Sequence, residues 1–102
     1  MLMQTRFVGN GLYILDEPEA AVSAMRQLAF LAVMRDLVED RASQFVIASH
    51  SPILMSYPGA LIYLLGEHGI QKIDYEETEH FQTTRDFLNN RELYFRHLFA
   101  KS

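Results

Sequence analysis

The chain contains 102 residues, of which 49% are hydrophobic and 22% are charged. This length suits one small domain, and the composition is typical of a folded core and argues against a disordered tail or a fibrous protein. Thirteen acidic and nine basic side chains give a formal net charge of −4, which disfavours non-specific binding to a nucleic-acid backbone, and the absence of cysteine excludes disulfides and thiolate metal sites.

The sequence lacks a segment that is apolar over the length of a membrane span. Its longest uninterrupted apolar run covers residues 28–34, whereas a spanning helix needs about 20 residues. The first six residues, Met-Leu-Met-Gln-Thr-Arg, do not form a signal-peptide core. We therefore expect a cytoplasmic protein without direct membrane insertion, and we place no domain boundary inside residues 1–102.

Two short, continuously apolar segments are predicted to be strands. The first covers residues 11–15 and ends before Pro18, which cannot continue a central strand. The second covers residues 44–49. Because neither alternates apolar with polar residues, we expect both strands to be covered on both faces, as in a parallel sheet.

A helix is predicted between the two strands. Ser23 is suited to cap its amino end, and helix-forming residues continue to about Asp40. The middle of this segment is apolar on nearly all sides, so we expect the helix to be mostly buried. A strand, a helix and a second strand in this order predict a βαβ unit and an α/β fold with a parallel sheet.

The second half of the sequence predicts shorter elements. A helical turn is expected at residues 53–56, followed by the turn Tyr-Pro-Gly. Residues 60–65 and 70–74 flank a glycine-bounded turn, which predicts a hairpin at a sheet edge. Residues 78–99 predict two short helices that are interrupted near Asn89 and Asn90.

Polar side chains that could bind a ligand or take part in catalysis follow each predicted strand of the βαβ unit. Asp16 and Glu17 follow the first strand, and His50 follows the second within the sequence Ser-His-Ser. Ligands of open α/β sheets bind at the carboxyl ends of the strands, where a parallel pair would bring these residues to one edge. One carboxylate could hold Mg²⁺, the other could reach a water molecule, and the imidazole could contact a phosphate or that water.

Each of these groups also has a simpler interpretation. Acidic residues are common in turns, so Asp16 and Glu17 could merely end a strand. His50 could be a turn histidine whose ring is hydrogen-bonded. The remaining histidines do not have zinc-site spacing, and no G-x-S-x-G elbow predicts a serine hydrolase. The residues alone leave these alternatives open.

Two segments resemble a known family. Residues 11–23, Gly-Leu-Tyr-Ile-Leu-Asp-Glu-Pro-Glu-Ala-Ala-Val-Ser, resemble the Walker B strand and D-loop of ATP-binding-cassette-type ATPases. Residues 43–52, Ser-Gln-Phe-Val-Ile-Ala-Ser-His-Ser-Pro, resemble the following strand and switch-histidine loop. The residues of the two motifs and the single helix between them look most like those of the soluble AAA family cassette ATPases of bacteria. These proteins are similar to the ATPase heads of DNA-repair and chromosome-maintenance proteins. The resemblance covers roughly residues 6–100.

The resemblance implies a P-loop NTPase sheet and a role for each matching residue. Asp16 would hold the Mg²⁺ of Mg-ATP, and Glu17 would act as general base. His50 would contact the γ-phosphate. Ser23 would belong to the D-loop, residues 20–23, which in the family crosses a dimer interface, and it would contribute with His50 to nucleotide binding.

Two motifs of the family are missing from the sequence. The two lysines, Lys72 and Lys101, do not follow a glycine, so no G-x-x-x-x-G-K-[ST] loop is present, and there is no Leu-Ser-Gly-Gly-Gln-like segment. The chain therefore resembles the carboxyl-terminal part of a cassette ATPase, a single partial domain whose ATP contacts need an amino-terminal half. We expect the isolated chain to be inactive and to form a homo-oligomer. We expect nucleic-acid binding to be possible only for the complete ATPase of which this chain would be a part.

Other functional classes remain as alternatives. A non-catalytic interaction module would keep the fold without ATP chemistry. A metal-dependent nuclease would need a further acidic cluster, and the residues available for it are Asp74, Glu76, Glu77 and Glu79. These residues are also suited to the start of a helix, where negative charge is favourable. A transporter ATPase would need a surface for a membrane partner, which no motif indicates.

Overall fold

The computed structural model describes residues 5–6 and 11–100. In this part of the chain the fold is mixed α/β, with a small sheet containing parallel and antiparallel pairs, a separate antiparallel hairpin and four α-helices. None of the described helices combines the length and the apolarity needed to cross a membrane. The chain divides into two compact units, Met1–Ala60 and Leu61–Ser102.

The first unit contains a three-stranded sheet in the order β1-β2-β3. Its strands are β1 (Thr5–Arg6), β2 (Gly11–Asp16) and β3 (Gln44–Ala48). β2 pairs with β3 in parallel, with Ile14 opposite Val46, and with β1 in antiparallel orientation. The predicted parallel βαβ arrangement is therefore confirmed.

Helix α1 (Ala24–Arg41) connects the two parallel strands and is capped at both ends. The Ser23 hydroxyl accepts a hydrogen bond from the Arg26 N–H at 3.2 Å, as predicted for an N-cap. At the other end, Ala42 adopts a left-handed conformation with a φ of 51°, and the Ser43 N–H donates to the Leu37 carbonyl at 3.0 Å. This is the usual way in which a helix satisfies its last carbonyl groups.

The core of the first unit lies between α1 and one face of the sheet. Tyr13, Leu15 and Met34 are buried. The rings of Tyr13 and Phe45 stack at 4.8 Å between centroids, and Phe30 of α1 meets Phe45 edge-on at 6.4 Å. Aromatic contacts in these geometries add to the free energy of area burial. Helix α2 (Pro52–Met55) also contacts α1 and buries Leu54.

The expectation that α1 is mostly buried is wrong. Met34 is its one buried residue, while Met25, Leu28 and Val33 are exposed. In the described residues the helix packs against the sheet and α2 along one side, where Phe30, Leu31 and Leu37 are half-buried. Its continuous apolar sequence therefore does not produce burial within the described part of the chain.

The expectation that β2 and β3 are covered on both faces is also wrong. Ile14 and Val46 are 40% and 53% exposed although they lie opposite each other in the register. Because side chains alternate along a strand, Tyr13 and Leu15 point to the helix side and Ile14 points to the other. The structure leaves this second sheet face uncovered in the described residues.

The second unit begins with the predicted hairpin, made of β4 (Ile62–Gly66) and β5 (Gly69–Ile73). Gly66 lies opposite Gly69, so residues 67–68 form the turn, and Gly69 follows it with a φ of 104° that few other residues tolerate. The hairpin forms a two-stranded sheet of its own. Its predicted place at the edge of the larger sheet is therefore not observed in the described residues.

Two helices complete the second unit, α3 (Glu79–Asn89) and α4 (Arg91–Leu98), after a 3₁₀ turn at Tyr75–Glu77. Thr78 is buried and caps α3 by accepting from the Phe81 N–H at 3.2 Å. The predicted interruption near Asn90 is confirmed. The ring of Phe87 packs edge-on against two aromatic rings of α4.

We predict that the uncovered sheet face makes the chain self-associate. Exposed apolar patches drive pairing with other chains, so the mass by light scattering should fall toward 11.8 kDa over a hundredfold dilution. Val46→Lys should shift this transition to higher protein concentration. Asp36→Asn changes the net charge equally on exposed α1 and serves as the control. A mass of 11.8 kDa at every concentration, with an unchanged melting temperature, would contradict the prediction.

Candidate functional site

Two loops leave the sheet from the same edge. The first, residues 17–23, connects β2 to α1, and the second, residues 49–51, connects β3 to α2. Since Asp16 lies opposite Ala48 in the parallel register, the carboxyl ends of β2 and β3 lie side by side. We call the group formed by Asp16, Glu17, Glu19, Ser49 and His50 the strand-end site.

Glu17 has an unusual main-chain conformation. Its φ is 47°, in the left-handed region that costs a residue with a side chain about 1–2 kcal/mol. The Glu17 N–H donates a short hydrogen bond of 2.7 Å to the Ala48 carbonyl, which ties the first loop to the end of β3. Backbone strain of this kind is concentrated at functional sites, where the surrounding structure maintains it.

The side chains of Glu17 and His50 face each other across the two loops. Glu17 Oε1 and His50 Nε2 are 3.8 Å apart, and the two side chains are 55% and 74% exposed. This separation is too long for a direct hydrogen bond. It is short enough for both groups to contact one small species, such as a water molecule or a phosphate oxygen. The predicted meeting of these two residues at one sheet edge is observed.

Asp16 is the last residue of β2 and is exposed. It lies on the face of the sheet that also carries Ile14, opposite to the face that α1 covers. Mg²⁺ takes one or two protein carboxylates and completes its shell with phosphate oxygens and water. A single exposed carboxylate at a strand end therefore fits Mg²⁺ bound to a phosphate ligand.

Glu19 belongs to the strand-end site, although the sequence analysis did not select it. Its Oε1 accepts a hydrogen bond from the Ser49 hydroxyl at 2.8 Å, and its Oε2 accepts one from the His50 N–H at 3.0 Å. Both donors belong to the second loop. The Asp-Glu-Pro-Glu sequence gives no local indication of these bonds, because the donors lie about thirty positions along the chain.

The pKa of the Glu19 carboxyl lies below its usual value of 4.5. Burial alone would raise this pKa. It is outweighed by hydrogen bonds from the main chain of His50, from the main chain of Glu19 itself and from the Ser49 hydroxyl, together with the nearby charge of His50. The ionised carboxylate is therefore the form that the folded loops prefer.

The second loop is also attached to α1 and α2. The Ser51 N–H donates to the Ser49 hydroxyl oxygen at 2.9 Å, and the buried Ser51 hydroxyl donates to the side-chain carbonyl of Gln27. The same hydroxyl accepts from the Leu54 N–H and caps α2. The Gln27 amide in turn donates to the Val22 carbonyl of the first loop. These bonds hold the two loops against the start of α1.

The other candidates have structural placements of their own. Ser23 caps α1, as described above, and its predicted contribution to nucleotide binding stays a prediction. The acidic residues considered for a nuclease surround the 3₁₀ turn and the first turn of α3, where they fit the electrostatic preference of a helix start. In residues 5–6 and 11–100, no group of three or more histidine, aspartate or glutamate side chains is arranged to hold a metal ion.

A shallow groove lies elsewhere in the first unit. It is lined by residues of α1 and of the turn after α2, namely Leu31, Ala32, Arg35, Glu39, Tyr57 and Pro58. The groove includes no residue of the strand-end site. Its charged rim is an exposed Arg35–Glu39 pair, an interaction that typically contributes little. We therefore base the functional argument on the strand-end site.

Comparisons of this chain with protein-family models, with curated proteins and with solved structures found no match. The resemblance to cassette ATPases therefore depends on the two motifs and their spacing.

We predict that Glu17→Gly does not destabilise the fold. Glycine adopts a positive φ without steric cost, so the free energy of unfolding should stay equal or rise by about 1 kcal/mol. Urea unfolding measures this quantity. Ala42→Gly, at a φ of 51° in the C-cap of α1, is the matched control and should show a similar gain. A loss of more than about 1 kcal/mol in Glu17→Gly alone would mean that the Glu17 side chain has a structural role.

We predict that the stabilisation by Glu19 depends on pH. Its folded-state pKa lies below the ordinary value of 4.5, so its contribution is fully present above that value and disappears as the pH falls through the folded pKa. Glu19→Gln should therefore unfold more easily than the native chain at pH 7, and the difference should shrink below pH 4.5. Glu39→Gln, which removes an exposed carboxylate, is the control. A difference that is independent of pH would refute the charge-dependent role.

Proposed function

We propose that this chain supplies the metal-coordinating and water-activating part of a cassette-type site for Mg-ATP hydrolysis. The observation that carries the proposal is the approach of Glu17 and His50 to 3.8 Å from two separate strand ends. The positive φ of Glu17 supports it, because strained main-chain conformations are concentrated at functional sites. The Walker B and switch-histidine resemblance assigns these same two residues to the reaction.

Asp16 would hold the metal in this site. Its carboxylate follows β2 directly and projects from the carboxyl end of the parallel pair, where ligands of α/β sheets bind. When bound, Mg²⁺ supplies charge neutralisation for the phosphate oxygens. Asp16 would provide the protein carboxylate, and the nucleotide and water would provide the remaining ligands.

Glu17 and His50 would act on the attacking water and on the γ-phosphate. The water oxygen forms a bond to the γ-phosphorus, the bond from that phosphorus to the ADP oxygen breaks, and Glu17 accepts the proton that the water releases. His50 would contact the γ-phosphate on the side that faces Glu17. Both side chains are exposed to solvent, so water and a phosphate can reach them.

The phosphate-binding loop of the proposed site would come from another polypeptide segment. A P-loop holds phosphates through consecutive main-chain N–H groups and a lysine, and the sequence does not contain that motif. An in-frame segment that encodes G-x-x-x-x-G-K-[ST] in the DNA upstream of the Met1 codon would support this arrangement directly. The same function would also accommodate a separate subunit that carries the loop.

We predict that Glu17→Gln lowers ATP turnover by about 10²–10⁴-fold in the protein that includes the phosphate loop. Glutamine keeps the size of the side chain and does not accept the proton, so ATP binding should stay intact. Steady-state hydrolysis and equilibrium binding of Mg-ATP measure the two effects. His50→Ala should also slow turnover, and Glu39→Gln, an exposed residue of α1 outside the strand-end site, should leave it unchanged.

The isolated chain provides the companion measurement. Titration calorimetry with Mg-ATP should detect no saturable binding at micromolar concentrations, because Asp16 alone contributes little affinity for a triphosphate. Saturable binding by the isolated chain would reveal an unrecognised phosphate site. Near-normal turnover in Glu17→Gln would remove Glu17 from the role of general base.

A non-catalytic interaction module is the second candidate function. The observation that favours it is the uncovered apolar sheet face with Ile14 and Val46, which is suited to contact with another chain. In such a module, Glu17→Gln would affect neither association nor any activity of the assembly. The turnover measurement therefore distinguishes the two candidates.

A further inference from the structure

The carboxylate of Glu19 is the side chain that connects the two loops of the strand-end site. It extends from the first loop, and each of its two oxygens accepts one hydrogen bond from the second loop, from Ser49 at 2.8 Å and from His50 at 3.0 Å. Glu19 thus links the loop that contains the proposed base, Glu17, to the loop that contains the proposed phosphate contact, His50.

The main chain around His50 is held on both sides. Its own N–H is directed at Glu19 Oε2, and the next N–H, that of Ser51, is directed at the Ser49 hydroxyl. The imidazole itself is 74% exposed. These hydrogen bonds orient the peptide groups on either side of His50 and so contribute to the direction of its ring toward Glu17.

We propose that Glu19 is a positioning residue that holds the His50 loop so that His50 Nε2 faces Glu17 Oε1. Its catalytic meaning rests on the proposed ATPase function, whereas the positioning itself needs no nucleotide. Glu19 touches neither the reacting water nor the phosphate in this arrangement. It acts through the main chain of the residue that does.

The two donors favour a carboxylate at this position. A carboxylate has two acceptor oxygens and satisfies the Ser49 hydroxyl and the His50 amide at once, whereas a glutamine side chain has one acceptor oxygen and an NH₂ group that only donates. Bonds to an ionised acceptor are also stronger than bonds between neutral groups. The lowered pKa of Glu19 is consistent with this use of its charged form.

The test compares Glu19→Gln with the native full-length chain by NMR, without nucleotide. Nuclear Overhauser contacts between the Glu17 side chain and the His50 ring report on their approach, and magnetisation transfer from water reports on exchange of the His50 amide. We expect Glu19→Gln to remain folded, to lose the Glu17–His50 contacts, and to exchange the His50 amide about 10- to 100-fold faster. Glu39→Gln, the matched removal of an exposed carboxylate, should behave like the native chain.

The outcomes separate positioning from a purely structural role. A structural role would lower the melting temperature of Glu19→Gln but leave the ring contacts of the folded state intact, and that result overturns the proposal. If Glu19→Gln does not fold, Glu19→Asp replaces it. Its carboxylate is one methylene shorter and should also lose the ring contacts, so full retention in Glu19→Asp overturns the proposal as well. Because no measurement uses ATP, a failure here leaves the ATPase proposal standing, and a failure of that proposal leaves this result unchanged.

Discussion

The parallel pairing of β2 with β3 is the constraint on which the candidate site depends. It places Asp16 opposite Ala48, so that the loops after both strands begin at the same edge. The bond from the Glu17 N–H to the Ala48 carbonyl extends this pairing by one step beyond the strand. Chain segments separated by α1 are thereby brought close enough for Glu17 to face His50. An antiparallel pairing would send the two loops to opposite ends of the sheet.

Burial in the first unit is one-sided, and this explains both corrections to the sequence-based picture. α1 covers the sheet face that carries Tyr13 and Leu15, and no described element covers the face of Ile14 and Val46. An apolar segment can be buried favourably, but it is buried within one chain only where another element of that chain packs against it. The apolar outer side of α1 and the uncovered sheet face are therefore the surfaces on which association would act.

Local features of the sequence predicted the secondary-structure elements well. They did not predict side-chain hydrogen bonds between residues that are far apart in the sequence. The N-cap at Ser23 and the interruption near Asn90 follow from nearby residues, and the parallel pairing follows from the order strand, helix, strand; all three were predicted. The meeting of Glu17 with His50 was predictable because strand order alone implies it. The role of Glu19 was not, because its two donors lie in another loop and nothing in the first loop identifies them.

The strand-end site combines a locally unfavourable conformation with bonds that maintain it. The left-handed main chain of Glu17 costs about 1–2 kcal/mol, and a charge-assisted hydrogen bond contributes a similar amount. Glu19 makes two such bonds within three residues of the strained position. The strain and its compensation thus lie in the same loop. If glutamate at position 17 were only a turn residue, glycine or asparagine would serve there at lower cost, and the loop would have less need of a bridging carboxylate. The conformation of Glu17, its distance from His50 and the bonds of Glu19 therefore support a single interpretation, in which the first loop is built to present one carboxylate to the imidazole of the second.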